Sequence, residues 1–263
     1  MSAFRHASVL AVLLGCTVFV VMGCDSSDPS TGSGTVQVGF STTNASGSPT
    51  TKAAPSSKQS IDSDTLVLTG SNGTLKIGDL RLIVDEVELE GDADSAEFET
   101  ERPSFLDLPL QAGEVSPVAT DQVPPGSYED FEFEIEDVEL DDPDEEGGIQ
   151  ALRDEIREEF PNWPNSASMV VVGTFIPTNG TSRSFEVYFE AEIEVERELN
   201  PALKVSSEGF SRDLIVRLDP AQWFERADGT VQDLSQSDFE ETGQVVEFEA
   251  EFEDGVTEIE FGD

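Results

Sequence analysis

Phe185-Glu186-Val187-Tyr188-Phe189-Glu190-Ala191-Glu192-Ile193-Glu194-Val195-Glu196 is the longest alternating stretch in the chain, and it decides the fold class. Phe185, Val187, Phe189, Ala191, Ile193 and Val195 point one way; Glu186, Tyr188 and the remaining glutamates point the other. A period of two belongs to a strand with one buried face and one wet face.

The same signature recurs outward from this stretch. Leu66 and Leu68 lead into Ser71-Asn72-Gly73, whose Asn-Gly pair suits a hairpin, and Leu75 and Ile77 return from it. Leu80, Leu82 and Val84 alternate before the pattern slips by one residue to Val87 and Leu89. Phe131, Phe133 and Ile135 slip in the same way to Val138 and Leu140. A one-residue phase change predicts a β-bulge at each place. These two segments align and share Val-Glu-Leu, which reads either as a duplicated unit or, more simply, as the likeness of any two half-buried acidic strands. Further strands are expected at 169–176, 214–218, 245–252 and 256–261. Repeated alternation with one polar face predicts an all-β fold, an antiparallel β-sandwich built as one large or two packed small sandwiches.

One helix interrupts this pattern. Ile149, Leu152, Ile156 and Phe160 fall at helical spacing and predict a helix near 149–160 with an apolar stripe to lie on a sheet. Pro161 limits its continuation. Trp163 and Trp223-Phe224 are expected to plug turns against the core.

Composition narrows the chemistry. The 263 residues carry 56 Asp+Glu against 14 Lys+Arg, a formal net charge of −42. Clustered cations are needed to neutralise phosphates, so nucleic acid is an unsuitable partner. His6, Cys16 and Cys24 are the only histidine and cysteines. Everything beyond Cys24 therefore lacks the means for Cys/His zinc sites, Ser-His-Asp or Cys-His catalysis, and disulfides. The acid is spread over nearly every strand and loop after Asp62, and lysine is scarce. That distribution resembles the proteins of extreme halophiles and reads as adaptation to solvent.

Residues 1–23 read as an export signal, with Arg5 and His6 ahead of an apolar run. Val21-Met22-Gly23-Cys24 resembles the lipobox of bacterial lipoproteins, which implies cleavage before Cys24 and a lipid on its thiol. Loss of Arg5, the sole formally charged residue of 1–23, takes the mature charge from −42 to −43. The expected layout is then a tether and Ser/Thr/Pro-rich linker over 24–63 with a short strand at 35–40. A first sandwich part spans 65–140, an acidic loop plus helix 141–168, and a second sandwich part 169–263.

Calcium is the natural ion for clustered carboxylates. Asp142, Asp144 and Glu146 match the first, third and fifth positions of an EF-hand loop, followed by Gly147 and the apolar Ile149. Arg153 stands where that loop needs its bidentate glutamate. Asp92, Asp94, Glu97 and Glu99 form a looser cluster. No other cofactor is expected.

Arg102-Pro103-Ser104-Phe105-Leu106-Asp107-Leu108 and Val123-Pro124-Pro125-Gly126-Ser127-Tyr128 resemble an uncharacterised domain of bacterial surface or periplasmic lipoproteins. In that family a strand near Gly-Thr-Val, here Gly34-Thr35-Val36, precedes an acidic strand pair. The Pro-Gly-x-Tyr turn is also similar to prealbumin-like and carboxypeptidase-regulatory-like β-sandwich modules. The resemblance covers 65–140 and implies no active residues.

The expectation is therefore an exported protein, lipid-anchored at Cys24 to a bacterial membrane and facing periplasm or cell surface. It serves as a non-enzymatic binding or structural module for a protein or glycan partner. A calcium-binding protein and a carboxylate-only glycoside hydrolase are the alternatives. Labelled palmitate is expected to be incorporated by the wild type and not by Cys24→Ala; equal labelling of the two rejects the anchor.

Overall fold

The large sheet forms around one strand that needs two corrections of phase. The computed structural model describes residues 33–43, 58–61, 65–91, 97–100, 102–111, 113–138, 147–206, 211–248, 250 and 252–262. In chain order the strands begin with β1 (Gly34–Thr42), β2 (Lys58–Ile61), β3 (Leu66–Gly70), β4 (Gly73–Gly91), β5 (Glu97–Thr100), β6 (Ser104–Asp107), β7 (Ser116–Val123) and β8 (Gly126–Ile135). They continue with β9 (Met169–Pro177), β10 (Arg183–Glu190), β11 (Ile193–Val205), β12 (Ser211–Leu218), β13 (Val246–Glu247) and β14 (Val256–Phe261). The helices are α1 (Gly147–Glu159), α2 (Ala221–Phe224) and α3 (Phe239–Thr242). None in the described residues is long and apolar enough to cross a membrane.

Two sheets pack face to face as a sandwich. The small one has the order β14-β12-β1-β7, and β1 lies inside it, parallel to β12 and antiparallel to β7. The strand expected at 35–40 is thus a central member of a sheet. The parallel pair departs from an all-antiparallel plan because no hairpin joins β1 to β12; the chain between them builds most of the large sheet first. Both sheets draw strands from both sides of α1.

The large sheet is organised by β4, 19 residues long. On one side of β4, β3 pairs with residues 73–77, β6 with 81–84 and β5 with 87–90. On the other side, β9 pairs with 73–82 and β8 with 84–91. β9 and β8 therefore lie end to end beside β4, and β10 and β11 lie end to end beyond them. The hairpin loop between β3 and β4 is Ser71-Asn72, with Gly70 opposite Gly73. The Asn72 amide also donates to the Val231 carbonyl at 2.7 Å and accepts from its N–H at 2.9 Å.

Bulges keep one face of β4 apolar. The register shifts between Ile77 and Asp79 and again between Val84 and Glu86. Leu75, Ile77, Leu80, Leu82, Val84, Val87 and Leu89 all reach the same core as a result. The second shift is the one predicted by the slip from Val84 to Val87. The slip from Ile135 to Val138 has another cause: β8 ends at Ile135, and Val138 enters a different cluster from a loop. The long alternation at 185–196 is interrupted too, because residues 191–192 lie outside any strand.

The main core fills the space between the sheets. Phe133 and Phe40 meet edge to face at 5.2 Å, joining β8 to β1. Trp223 stacks on Phe252 at 4.3 Å and donates Nε1–H to the Phe252 carbonyl. A Cβ on Gly255 would run into the Trp223 indole, so only glycine fits there. A second cluster lies on the opposite face of the large sheet, where Leu152, Ile156 and Phe160 cover Ile83, Val170 and Tyr188. The helix stripe read from the sequence makes this layer. Trp163 belongs to it, with Nε1–H donating to the Ala167 carbonyl at 2.9 Å. Both tryptophans are core plugs.

Phe133 is fully buried. Phe133→Ala is expected to cost about 3–5 kcal/mol, measured by chemical denaturation in molar KCl.

Candidate functional site

Three rows of carboxylates cross the outer face of β5, β4, β8 and β11. Because each strand alternates, the outward residues of β4 are Glu86, Glu88 and Glu90, and the pairing registers align them with acids on every neighbour. Glu99, Glu88, Glu132 and Glu196 form one row. Glu97, Glu90, Asp130 and Glu198 form the next, and Glu86, Glu134 and Glu194 the third. Directly opposed residues on antiparallel strands have Cβ atoms about 4.5–5.5 Å apart, and like charges there are destabilising. No lysine or arginine occupies a position in these rows.

The rows close up at one end. Carboxylate oxygens of Glu132, Glu134 and Glu194 lie within 4.8 Å of one another, and so do those of Asp85, Glu134 and Glu136. Glu134 belongs to both groups. Beside it runs a shallow cleft of about 210 Å³ lined by Glu134, Ile135, Glu136, Glu192, Ile193 and Glu194. Burial, then repulsion from Glu99, Glu134, Glu88 and Asp85, pushes the Glu86 carboxyl up to about 7. Glu88, Glu132, Glu134 and Glu136 shift upward for the same two reasons, burial first. Asp85, at the bulge, is raised by burial alone.

A second polar centre lies near the middle of β4. The Arg81 guanidinium pairs with Asp79 at 2.9 Å, with Asp107 at 3.6 Å, and with Glu159 at the end of α1. It also sits 5.6 Å from the centres of the Phe105 and Phe160 rings, close enough for cation–π attraction. This knot ties the helix to the sheet. Next to it is a cleft of about 320 Å³ whose walls include Gly78, Asp79, Arg81, Asp107, Gln111 and Glu114. The two aspartates that face it are thus already engaged by Arg81.

Cys24, Asp142, Asp144 and Glu146 lie outside the described residues, as do Asp92 and Asp94. Arg153, which followed the loop match, is buried on α1. Glu97 and Glu99 lie on β5 and enter the rows opposite Glu90 and Glu88. The meeting of Asp85, Glu134 and Glu136 was missed by sequence reasoning. Its only trace was the similarity between 80–90 and 131–141, two segments that prove to be paired neighbours.

Comparison with known proteins found no match among family models, curated proteins or solved structures.

Each raised carboxyl binds a proton more tightly in the fold, so its ionisation weakens the fold as pH rises, for Glu86 from the ordinary glutamate value of 4.5 toward about 7. At low ionic strength the melting temperature is expected to rise as pH falls from about 8 to about 5, and Glu86→Gln to flatten that slope. Thermal denaturation across the pH series checks both.

Proposed function

We propose that the chain is a lipid-anchored, extracytoplasmic β-sandwich module without enzymatic activity, adapted to concentrated salt. The observation that carries this reading is the layout of the acid. Its outward carboxylates are spread in rows over a sheet face, whereas an active site needs a few polar groups converging in a concavity. Repulsion between such rows is screened over about 10 Å at 0.1 M salt and about 3 Å at 1 M, so molar salt relieves most of it. The apolar core beneath is extensive and owes nothing to ions. Lipidation at Cys24 rests on the sequence alone.

A calcium-binding role is the second reading. It is favoured by Glu134, whose carboxylate oxygens approach two further carboxylates in each of two directions. The hydrolase reading has less behind it, since the two aspartates of the larger cleft, Asp79 and Asp107, both pair with the Arg81 cation.

Thermal melting from molar to millimolar KCl is the decisive measurement. The melting temperature is expected to fall steeply as salt is withdrawn, and a melting temperature indifferent to salt overturns the adaptation. Titration with calcium in molar KCl separates the second reading: heat that disappears in Glu134→Gln would move the assignment to the ion.

A further inference from the structure

The large sheet is broken at one level in every column. Beside β4, β6 stops at Val84 and β5 starts at Val87. On the other flank, β9 stops at Leu82 and β8 starts at Val84. β4 itself bulges between Val84 and Glu86, and the column of β10 and β11 is interrupted at residues 191–192. The breaks make a seam. Above it lies a first tier of β2, β3, β6, the first part of β4, β9, β10 and β13. Below it lies a second tier of β5, the rest of β4, β8 and β11.

Ser168 lies at the seam and ties β4 and β10 of the first tier to Ala191 in the break. This fully buried residue accepts the Ile83 N–H at its carbonyl and donates its own N–H to the Phe189 carbonyl. Its hydroxyl donates to the Ala191 carbonyl and accepts the Ala191 N–H, both at 2.8 Å. Apart from such bonds and the shared core, the chain crosses the seam directly in β4, in the β10–β11 connection and in the short link from Thr100 of β5 to Ser104 of β6.

The tiers are not held equally. The first is buried by the main core within and, over Ile83, Val170 and Tyr188 next to the seam, by α1, Trp163 and Phe160 without. The second is buried on one face only, where Val87, Leu89, Phe131, Phe133 and Val195 meet the core. Its other face is wet. Proteins open in cooperative units whose free energies differ with buried apolar contact.

We infer that the second tier is a separate opening unit, released along the seam before the rest of the sandwich when ionic strength falls. The inference rests on the salt adaptation proposed above and adds where the loss of order begins. A tier that opens reversibly while its neighbour stays closed gives the module an ionic-strength-dependent state short of unfolding.

Native-state hydrogen exchange of the full chain, compared between molar and millimolar KCl, tests it. At low salt, amides of residues 87–90, 128–135 and 194–204 are expected to exchange about tenfold faster or more, while 75–82, 170–175 and 185–189 keep their protection. The triple variant Glu88→Gln/Glu132→Gln/Glu134→Gln changes only solvent-facing charge and is expected to restore slow exchange in the second tier. Parallel loss of protection in both tiers overturns the inference, as does earlier loss in the first. Protection unchanged by salt in both tiers overturns it as well; if the melting temperature still falls with salt, the adaptation survives without the separate unit. Equal salt sensitivity in the variant and the wild type also counts against it.

Discussion

Everything in the large sheet depends on β4 keeping its apolar side chains on one face for its whole length. A strand turns successive residues to opposite sides, so any slip in the pattern would drive leucines into water and glutamates into the core. The two bulges prevent that. The first lets Leu75 and Ile77 share a face with Leu80 and Leu82; the second passes that face on to Val87 and Leu89. Because β3, β5, β6, β8 and β9 all pair with β4, its phase is inherited by its neighbours. The carboxylate rows are the outward image of the same constraint: once the leucines and valines are fixed inward, the intervening glutamates have nowhere else to go.

The acid outside and the hydrocarbon inside are thus parts of one arrangement. Burial of each large apolar side chain contributes about 1.5–3 kcal/mol, and the core has dozens of contributors. Opposed carboxylates draw on that reserve by an amount that solvent ions control. The Arg81 knot is built differently. There one guanidinium meets three carboxylates between two aromatic rings, so attraction prevails locally in a chain with few cations.

Much of this was legible in the residues. Alternation located most of the strands, spacing located α1 to within two residues, and the slip at Val84 located a bulge. What escaped was long-range. Nothing local distinguishes the slip at Ile135, where a strand ends, from that at Val84, where one bends. The run at 185–196 keeps perfect period two across a break, because β11 resumes with Val195 facing the same core as Phe189. The parallel contact of β1 with β12 joins segments that nearly the whole large sheet separates in the chain. The rows themselves needed the register: alternation shows that glutamates point outward, and pairing decides which glutamates face each other. For the Asp142 loop and the Cys24 anchor, the residues alone still carry the reading.

One consequence follows from where the rows end. Among the described residues, β11 is an outer member of the large sheet, and a strand in that position offers unpaired backbone groups to any passing chain. Glu194, Glu196 and Glu198 line its wet face. A second molecule approaching edge to edge would bring its own row into line with this one, extending the repulsion from one sheet into two. For a protein crowded beside copies of itself, the same glutamates that burden the fold act as spacers and keep neighbouring sheets from growing into a fibre.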